Sequence, residues 1–240
     1  LIDLPNGYTE QSFITFTPQE IGDYNFGLII QSNNEYSLID TMIMSVLEFT
    51  GNVFYVSSDS IASDSSAGTE NNPFATIQNA INACVDGDII FVDEGTYYEN
   101  INFNGRSISI IGENVENTKI IGNQNETVVW FDVGGSGPTN ALLKNITLDK
   151  IDNSEGGYSP IIHAEGTFTI DSCLILGEVF FYGPGDTLKN STIYSNQDTA
   201  VYLHTEGHVI TNSIIFSEDG YVIAASDNES SNYTINNNCL

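Results

Sequence analysis

The residues best suited to bind a metal ion lie in one short segment. Asp149, Asp152 and Glu155 occupy positions 1, 4 and 7 of a predicted turn. Hard oxygen ligands gathered in a flexible loop suit Ca²⁺. The pattern therefore predicts a calcium site here, with a weaker candidate at Asp59 and Asp64. Chance clustering is the alternative in a chain with 32 acidic residues.

The single tryptophan, Trp130, is the residue best suited to bind a sugar. It lies beside Phe131 in a predicted strand over residues 127–133. An indole that reaches the surface offers a broad apolar face and a polar edge, which suits stacking on a sugar ring. Packing in the core is the competing interpretation for at least one of these two aromatic residues.

The chain has three histidines, His163, His204 and His208. His204 and His208 bracket the turn that contains Glu206, where all three could meet a metal ion. Two histidines four positions apart favour a metal site mainly on a helix, and this segment does not have a helical pattern. We therefore expect both to be exposed turn residues.

Charge excludes two classes of partner. The chain carries 32 acidic and 5 basic residues, for a formal net charge of -27. Binding to nucleic acid or to an anionic membrane surface requires clustered lysine and arginine, and the five basic residues are scattered singly. The longest apolar runs are far shorter than the roughly 20 residues of a membrane-spanning helix. We expect neither nucleic acid nor membrane insertion.

The elements that must position these residues are short strands. From residue 143 a pattern recurs in which Ile or Leu is followed by any residue, Asn or Ser, two residues, and Ile or Leu. Its third positions are Asn145, Ser172, Asn190, Asn212 and Asn237, with spacings of 27, 18, 22 and 25. Periods of about 20 to 30 residues with strand composition indicate a β-solenoid.

The two apolar residues of each repeat lie five positions apart, as Leu143 and Leu148 do. On an unbroken strand they would face opposite sides of the sheet, so both reach one core only if the chain bends between them. Asn tolerates the left-handed conformation that such a bend needs. We expect these five side chains to stack as a ladder. A globular β-sandwich with Asn at its turns is the alternative.

Residues 73–84 carry the one convincing helical pattern, with an apolar face formed by Phe74, Ile77, Ala80, Ile81 and Cys84. We predict a helix at about residues 74–85 that caps the first rung. The cysteines, which are Cys84, Cys173 and Cys239, are interpreted first as small buried apolar residues. One disulfide with a free thiol is the alternative.

Residues 1–50 differ from the rest, with strands predicted at 12–17, 24–30 and 39–46. The segments Phe16-Thr17-Pro18, Gly22-Asp23-Tyr24 and Ser32-Asn33-Asn34 resemble Ig-like modules of the choice-of-anchor-D and ASPM/hydin type. The resemblance implies the C-terminal part of an Ig-like β-sandwich that precedes the solenoid.

A second resemblance covers residues 53 to 240. The segments that carry it are Asn71-Asn72-Pro73-Phe74-Ala75-Thr76-Ile77-Gln78-Asn79-Ala80-Ile81, Gly87-Asp88-Ile89-Ile90-Phe91-Val92, Gly95-Thr96-Tyr97-Tyr98-Glu99-Asn100-Ile101 and Ile108-Ser109-Ile110-Ile111-Gly112. They resemble the opening of right-handed parallel β-helix proteins of the pectin-lyase-like superfamily. The resemblance implies an all-β chain with a capping helix and a β-helix of about six rungs over residues 51–240, which we expect to continue beyond residue 240.

The superfamily includes lyases, hydrolases, esterases and non-catalytic surface proteins, so the resemblance implies no single function. A lyase of this kind needs a basic residue, and Arg106, Lys144 and Lys189 are interpreted as surface charges. The hydrolase motifs NTD, GHG and RIK are missing. We therefore assign no catalytic residue and no certain cofactor, calcium being the candidate.

The sequence favours a secreted or cell-surface module that binds a polysaccharide or surface glycan, or displays neighbouring domains of a longer chain. Neutral glycans suit an acidic surface better than uronates do. The alternative is a polysaccharide lyase or glycoside hydrolase whose catalytic residues lie outside these 240 residues.

Overall fold

The structure is a computed structural model that describes residues 22–32, 35–46, 51–59, 61–123, 125–131, 139–151, 159–196, 199–226 and 232–239. The chain divides into two units, residues 1–50 and residues 51–240. In the first unit, β1 (Gly22–Ser32) and β2 (Glu35–Val46) form an antiparallel pair. The strand predicted at residues 12–17 lies outside the described residues, so the Ig-like assignment stays a prediction.

In the described part of the second unit the strands form three sheets, and from residue 89 onward each sheet takes every third strand. Sheet one contains β3 (Val53–Val56), β4 (Ile89–Val92), β7 (Ser109–Gly112), β10 (Thr139–Lys144), β13 (Thr167–Asp171), β16 (Thr187–Lys189), β19 (Val209–Thr211) and β22 (Thr234–Asn236). Sheet two contains β5 (Gly95–Tyr97), β8 (Thr118–Gly122), β11 (Thr147–Lys150), β14 (Leu174–Leu176), β17 (Thr192–Ser195) and β20 (Ile214–Ser217). Sheet three contains β6 (Ile101–Asn102), β9 (Val129–Phe131), β12 (Ile162–Ala164), β15 (Val179–Phe181), β18 (Thr199–Leu203) and β21 (Tyr221–Ala225).

Every strand pairing within these three sheets is parallel. A chain that visits three parallel sheets in turn winds as a solenoid, in which each rung contacts its neighbours. This confirms the predicted all-β fold with a parallel β-helix and excludes the alternative of a globular sandwich.

The corner between sheets one and two lies at the repeat found in the sequence. Leu143 lies in β10 of sheet one and Leu148 in β11 of sheet two, and both are fully buried. Between them Asn145 has a φ of 57°, which is left-handed. The equivalent residues of the later rungs are also left-handed, with φ of 56° at Ser172, 52° at Asn190, 52° at Asn212 and 57° at Asn237.

The core is a column of apolar side chains inside the solenoid. Strands such as β9 and β15 alternate buried and half-buried residues, so one side chain per strand turns outward. Phe103, Phe131 and Phe168 meet at ring-centroid distances of 4.6 to 5.3 Å and are all fully buried. Burial of each such side chain stabilises the fold by about 1.5–3 kcal/mol.

Helix α1 (Ile77–Ala83) covers the first rungs and packs against β3, β4 and β6. It is shorter than the predicted helix because Phe74 pairs with Val56 at the edge of sheet one. Thr76 caps the helix and accepts a hydrogen bond from Asn79 N. No helix in the described part of the chain is long and apolar enough to cross a membrane.

Candidate functional site

An aromatic band runs along the outer face of sheet three. The parallel register places Trp130, His163, Phe180 and Tyr202 side by side on β9, β12, β15 and β18. Tyr182 and His204 directly follow the last two of these strands. We define these six residues as the aromatic band.

The local sequence explains why these rings face outward. Each of the four strand residues stands between two apolar residues that point into the core, as Trp130 does between Val129 and Phe131. Because side chains alternate along a strand, the residue in the middle of such a triplet must point out. Phe131 is therefore core, with no exposure, whereas Trp130 is half-buried on the outer face.

Three rings of the band, those of Trp130, His163 and Tyr182, stack along the solenoid axis. Trp130 and His163 have centroids 4.3 Å apart and planes 4° apart, and His163 and Tyr182 follow at 4.5 Å and 23°. These distances are close to the spacing of about 4.7–4.9 Å between neighbouring strands, so the ring faces lie against one another across the strands. Glu165 Oε1 lies 3.1 Å from His163 Nε2 and fixes this imidazole in the stack.

A depression of about 370 Å³ opens beside Trp130. Its polar lining comes from Asn100, Asn102, Asn125, Glu126, Thr127 and Ser159. Several of these residues are held in place. Asn102 exchanges backbone hydrogen bonds with the side chain of Gln78 on helix α1, and Asn100 Nδ2 donates to Thr127 O. The depression therefore has a rigid floor beside an aromatic wall.

The chemistry of this lining suits a neutral polar ligand. Amide and hydroxyl groups can donate and accept hydrogen bonds, and Glu126 contributes a carboxylate at the rim. Among the residues that line the depression none is a lysine or arginine. An anionic ligand would therefore meet the Glu126 carboxylate, and the neighbouring cation, Lys150, is buried and donates its hydrogen bond to Ser159 O.

A second groove of about 580 Å³ lies on the outer face of sheet two. Lys119, Glu116 and Asp149 contribute charges to it, and Leu174 and Leu176 contribute apolar surface. Asp149 thus lies at this groove, whereas its predicted calcium partners Asp152 and Glu155 lie outside the described residues. Among the described residues no three metal-ligating side chains come together. The calcium site therefore stays a prediction.

The weaker candidate for calcium has a structural partner. Asp64 Oδ1 accepts hydrogen bonds from Thr76 N at 3.0 Å and Thr76 Oγ1 at 2.9 Å. The Asp64 carboxylate thus fixes the position of Thr76, the residue that caps helix α1. That contact gives Asp64 a role in the fold of the capping region.

Two of the predicted ladder residues, Asn190 and Asn212, approach one another. Asn212 Nδ2 lies 3.5 Å from Asn190 Oδ1, and Asn190 Nδ2 donates to Asp171 Oδ1 at 2.9 Å. Asn190 and Asn212 are exposed, whereas Asp171 is buried. The following residue in each rung points inward and forms a second series, in which Ser191 N donates to Ser213 Oγ and Ser213 N to Asn238 Oδ1.

The expectation for the histidines is wrong for His208, which is buried with 1% exposure. Its Nδ1 lies 3.5 Å from Asp186 Oδ2, and neither side chain has any exposed surface. Neither atom has a hydrogen-bond partner among the described residues. Burial raises the pKa of Asp186 to about 8 and lowers the pKa of His208 to about 4, since both charged forms lose their hydration.

Three of the five basic residues have partners that the structure describes. Lys144 and Lys189 both approach Asp171 Oδ2, at 3.7 and 3.5 Å, on the outer face of sheet one. Lys150 is buried and donates to Ser159 O. Desolvation lowers the pKa of the Lys150 ammonium group.

All three cysteines are free thiols. The interpretation of these residues as buried apolar side chains holds for Cys84 and Cys173 and is wrong for Cys239, which is exposed. Burial raises the pKa of Cys84 and of Cys173 to about 12, which makes both thiols unreactive.

The comparisons with known proteins add little about function. No family model matches the sequence, and no curated protein matches it either. Among solved structures, a rhamnogalacturonan lyase is similar with a TM-score of 0.40 and 15% sequence identity. The match covers 79% of this chain and 63% of the lyase, so the chain spans less than two thirds of that protein. A likeness this distant does not bear on activity, and the functional proposal rests on the site itself.

Proposed function

We propose that this chain is a non-catalytic, secreted or cell-surface β-helix module that binds neutral carbohydrate on the outer face of sheet three. The observation that carries the proposal is the half-exposed aromatic band with a polar depression at its Trp130 end. Aromatic faces bind the apolar face of a sugar, while amides and carboxylates fix its hydroxyl groups.

Charge supports a neutral ligand over a uronate. The chain has a net charge of -27, and both Glu126 and Glu165 lie at the candidate site. A carboxylated polymer would be repelled over its whole approach to such a surface. The acidic surface also suits the secreted or cell-surface location that we propose.

Binding of neutral and uronate polysaccharides, measured by affinity electrophoresis, tests the proposal. We expect the wild-type protein to bind at least one neutral polymer, and Trp130→Ala to weaken that binding at least about tenfold. Phe216→Ala, at an exposed aromatic residue of sheet two, is the matched control and should bind as the wild type does.

The same mixtures are assayed for new reducing ends and for unsaturated products. Either product would contradict the non-catalytic assignment and favour the alternative of a hydrolase or a lyase. If folded wild-type protein binds none of the neutral polymers, the carbohydrate proposal is wrong.

A further inference from the structure

We infer that the aromatic band holds one sugar ring, stacked on the free face of Trp130, and does not bind a polysaccharide along its length. The inference rests on the proposed function and specifies how the site works. A row of surface aromatics is commonly an extended platform, and the geometry here differs from that arrangement in three respects.

First, one face of the Trp130 indole is already covered. The ring of His163 lies parallel to it within 4° at a centroid distance of 4.3 Å. A sugar ring cannot enter a gap that is already at stacking distance. Any sugar that stacks on Trp130 must therefore approach the opposite face of the indole.

Second, the opposite face borders the depression. Trp130 pairs with His163 on β12 and with Asn102 on β6, on opposite sides in the sheet. The neighbour on the β6 side is an amide and not a ring, and both Trp130 and Asn102 line the depression. The indole face on the β6 side therefore borders the depression, with the short Asn102 side chain and no ring beside it.

Third, the other rings of the band cover one another. His163 has Trp130 on one side and Tyr182 on the other, at 4.5 Å. Tyr182 contacts His204 at 5.1 Å, and Phe180 contacts Tyr202 at 5.6 Å. The planes of these two pairs are tilted by 50° and 54°, so the band offers no flat, continuous row of ring faces to an extended polymer.

The size and chemistry of the depression define the ligand class. Its volume of about 370 Å³ lies near the lower end of the roughly 300–1,000 Å³ typical of small-molecule sites. Asn102 Oδ1 accepts a hydrogen bond from Asn104 N, which leaves the amide NH₂ as a donor for a ligand oxygen. Glu126 can accept from a sugar hydroxyl. A single neutral pyranose residue fits this combination.

Calorimetric titration with neutral oligosaccharides of increasing length tests the inference. The probes are gluco-, galacto- and manno-oligosaccharides of one to six residues. For a series that binds, we expect the dissociation constants of the monosaccharide and the longest oligomer to agree within about threefold, because only one ring is held. Asn102→Ala should weaken the whole series by about tenfold, the loss expected when one well-placed hydrogen bond is removed.

Two results would overturn the inference while leaving the proposed function intact. One is an affinity that rises more than about tenfold with chain length, which indicates an extended site. The other is a loss of affinity with Tyr202→Ala as large as that with Trp130→Ala. If neither an oligosaccharide nor a neutral polymer binds, the proposed function itself fails.

Discussion

The buried Asp186 and His208 side chains couple folding to pH because burial changes the pKa of each of them. The two residues follow Gly185 and Gly207 at the same position of successive rungs, so the register brings them together inside the core. Phe168 N donates to Asp186 Oδ1, Thr205 Oγ1 lies 3.2 Å from His208 Nε2, and Phe181 and Tyr233 stack on the imidazole. Because both charged forms are desolvated, the folded protein favours one proton on the pair and no net charge.

The sign of the pH effect follows from the two shifts. The pKa of Asp186 is raised from 3.8 to about 8, so its stabilising contribution is complete below its unfolded value and is lost as the pH rises through about 8. The pKa of His208 is lowered from 6.5 to about 4, so stability is gained as the pH rises between those values. Between about pH 4 and 6.5 the gain of stability from His208 cancels the loss from Asp186. A net loss of stability therefore appears only above pH 6.5.

We therefore predict that the wild-type protein loses about 2 kcal/mol of stability between pH 6.5 and 8.5 relative to Asp186→Asn. The asparagine keeps the acceptor for Phe168 N and has no proton to lose. Urea denaturation at several pH values measures the difference. Parallel pH profiles for the two proteins would show that the pair holds no extra proton.

At the residue scale, the sequence identifies Trp130 as a candidate for sugar binding, but it does not show which aromatic residues lie beside it in the fold. Trp130 stands out as the single tryptophan, but His163, Phe180 and Tyr202 lie 33, 50 and 72 positions beyond it. Irregular loop lengths hide their alignment, and only the strand register reveals it. The usable signal is the apolar triplet around each ring, such as Ile162-His163-Ala164, which places the central residue outward.

The corner between sheets one and two is the element on which the fold depends. The five-residue spacing predicts this corner because an odd separation cannot keep both anchors inside without a bend. The inward series of Ser191, Ser213 and Asn238 could not be predicted, because the repeat is defined by the residue that precedes each of them and leaves these positions unspecified. The structure shows that side chains at this second position accept hydrogen bonds from backbone N–H groups of the neighbouring rung, as Ser213 does from Ser191 N and Asn238 from Ser213 N.

Substitution at Asn190 separates two contributions of this corner residue to stability, which are its left-handed backbone and its hydrogen bond to Asp171. Its φ of 52° costs an alanine about 1–2 kcal/mol, whereas glycine adopts this conformation freely. We expect Asn190→Ala to destabilise the protein by about 2 kcal/mol and Asn190→Gly by about 1 kcal/mol, the latter from the lost hydrogen bond to Asp171. Thermal and urea denaturation measure both. Equal losses in the two variants would contradict a role for the left-handed backbone.

On the scale of the whole molecule, the β-helix acts as a frame that aligns side chains from distant parts of the sequence. Three sheets, each in continuous parallel register, create three long faces with different chemistry. Sheet three carries the stacked rings, sheet two carries a groove with Lys119 and Asp149, and sheet one carries the paired lysines around Asp171. The repeat predicts the β-helix. Which of its three faces binds a ligand depends on outward side chains that the repeat does not specify.

The fluorescence of the single tryptophan tests the central claim most directly, because Trp130 forms one wall of the proposed sugar site. We predict that the oligosaccharide bound in calorimetry changes the emission of Trp130 and saturates with the same dissociation constant. A sugar that covers the indole face should also protect it from quenching by acrylamide. Heat of binding with no change in emission or quenching would place the sugar elsewhere and contradict the assignment of the site to Trp130.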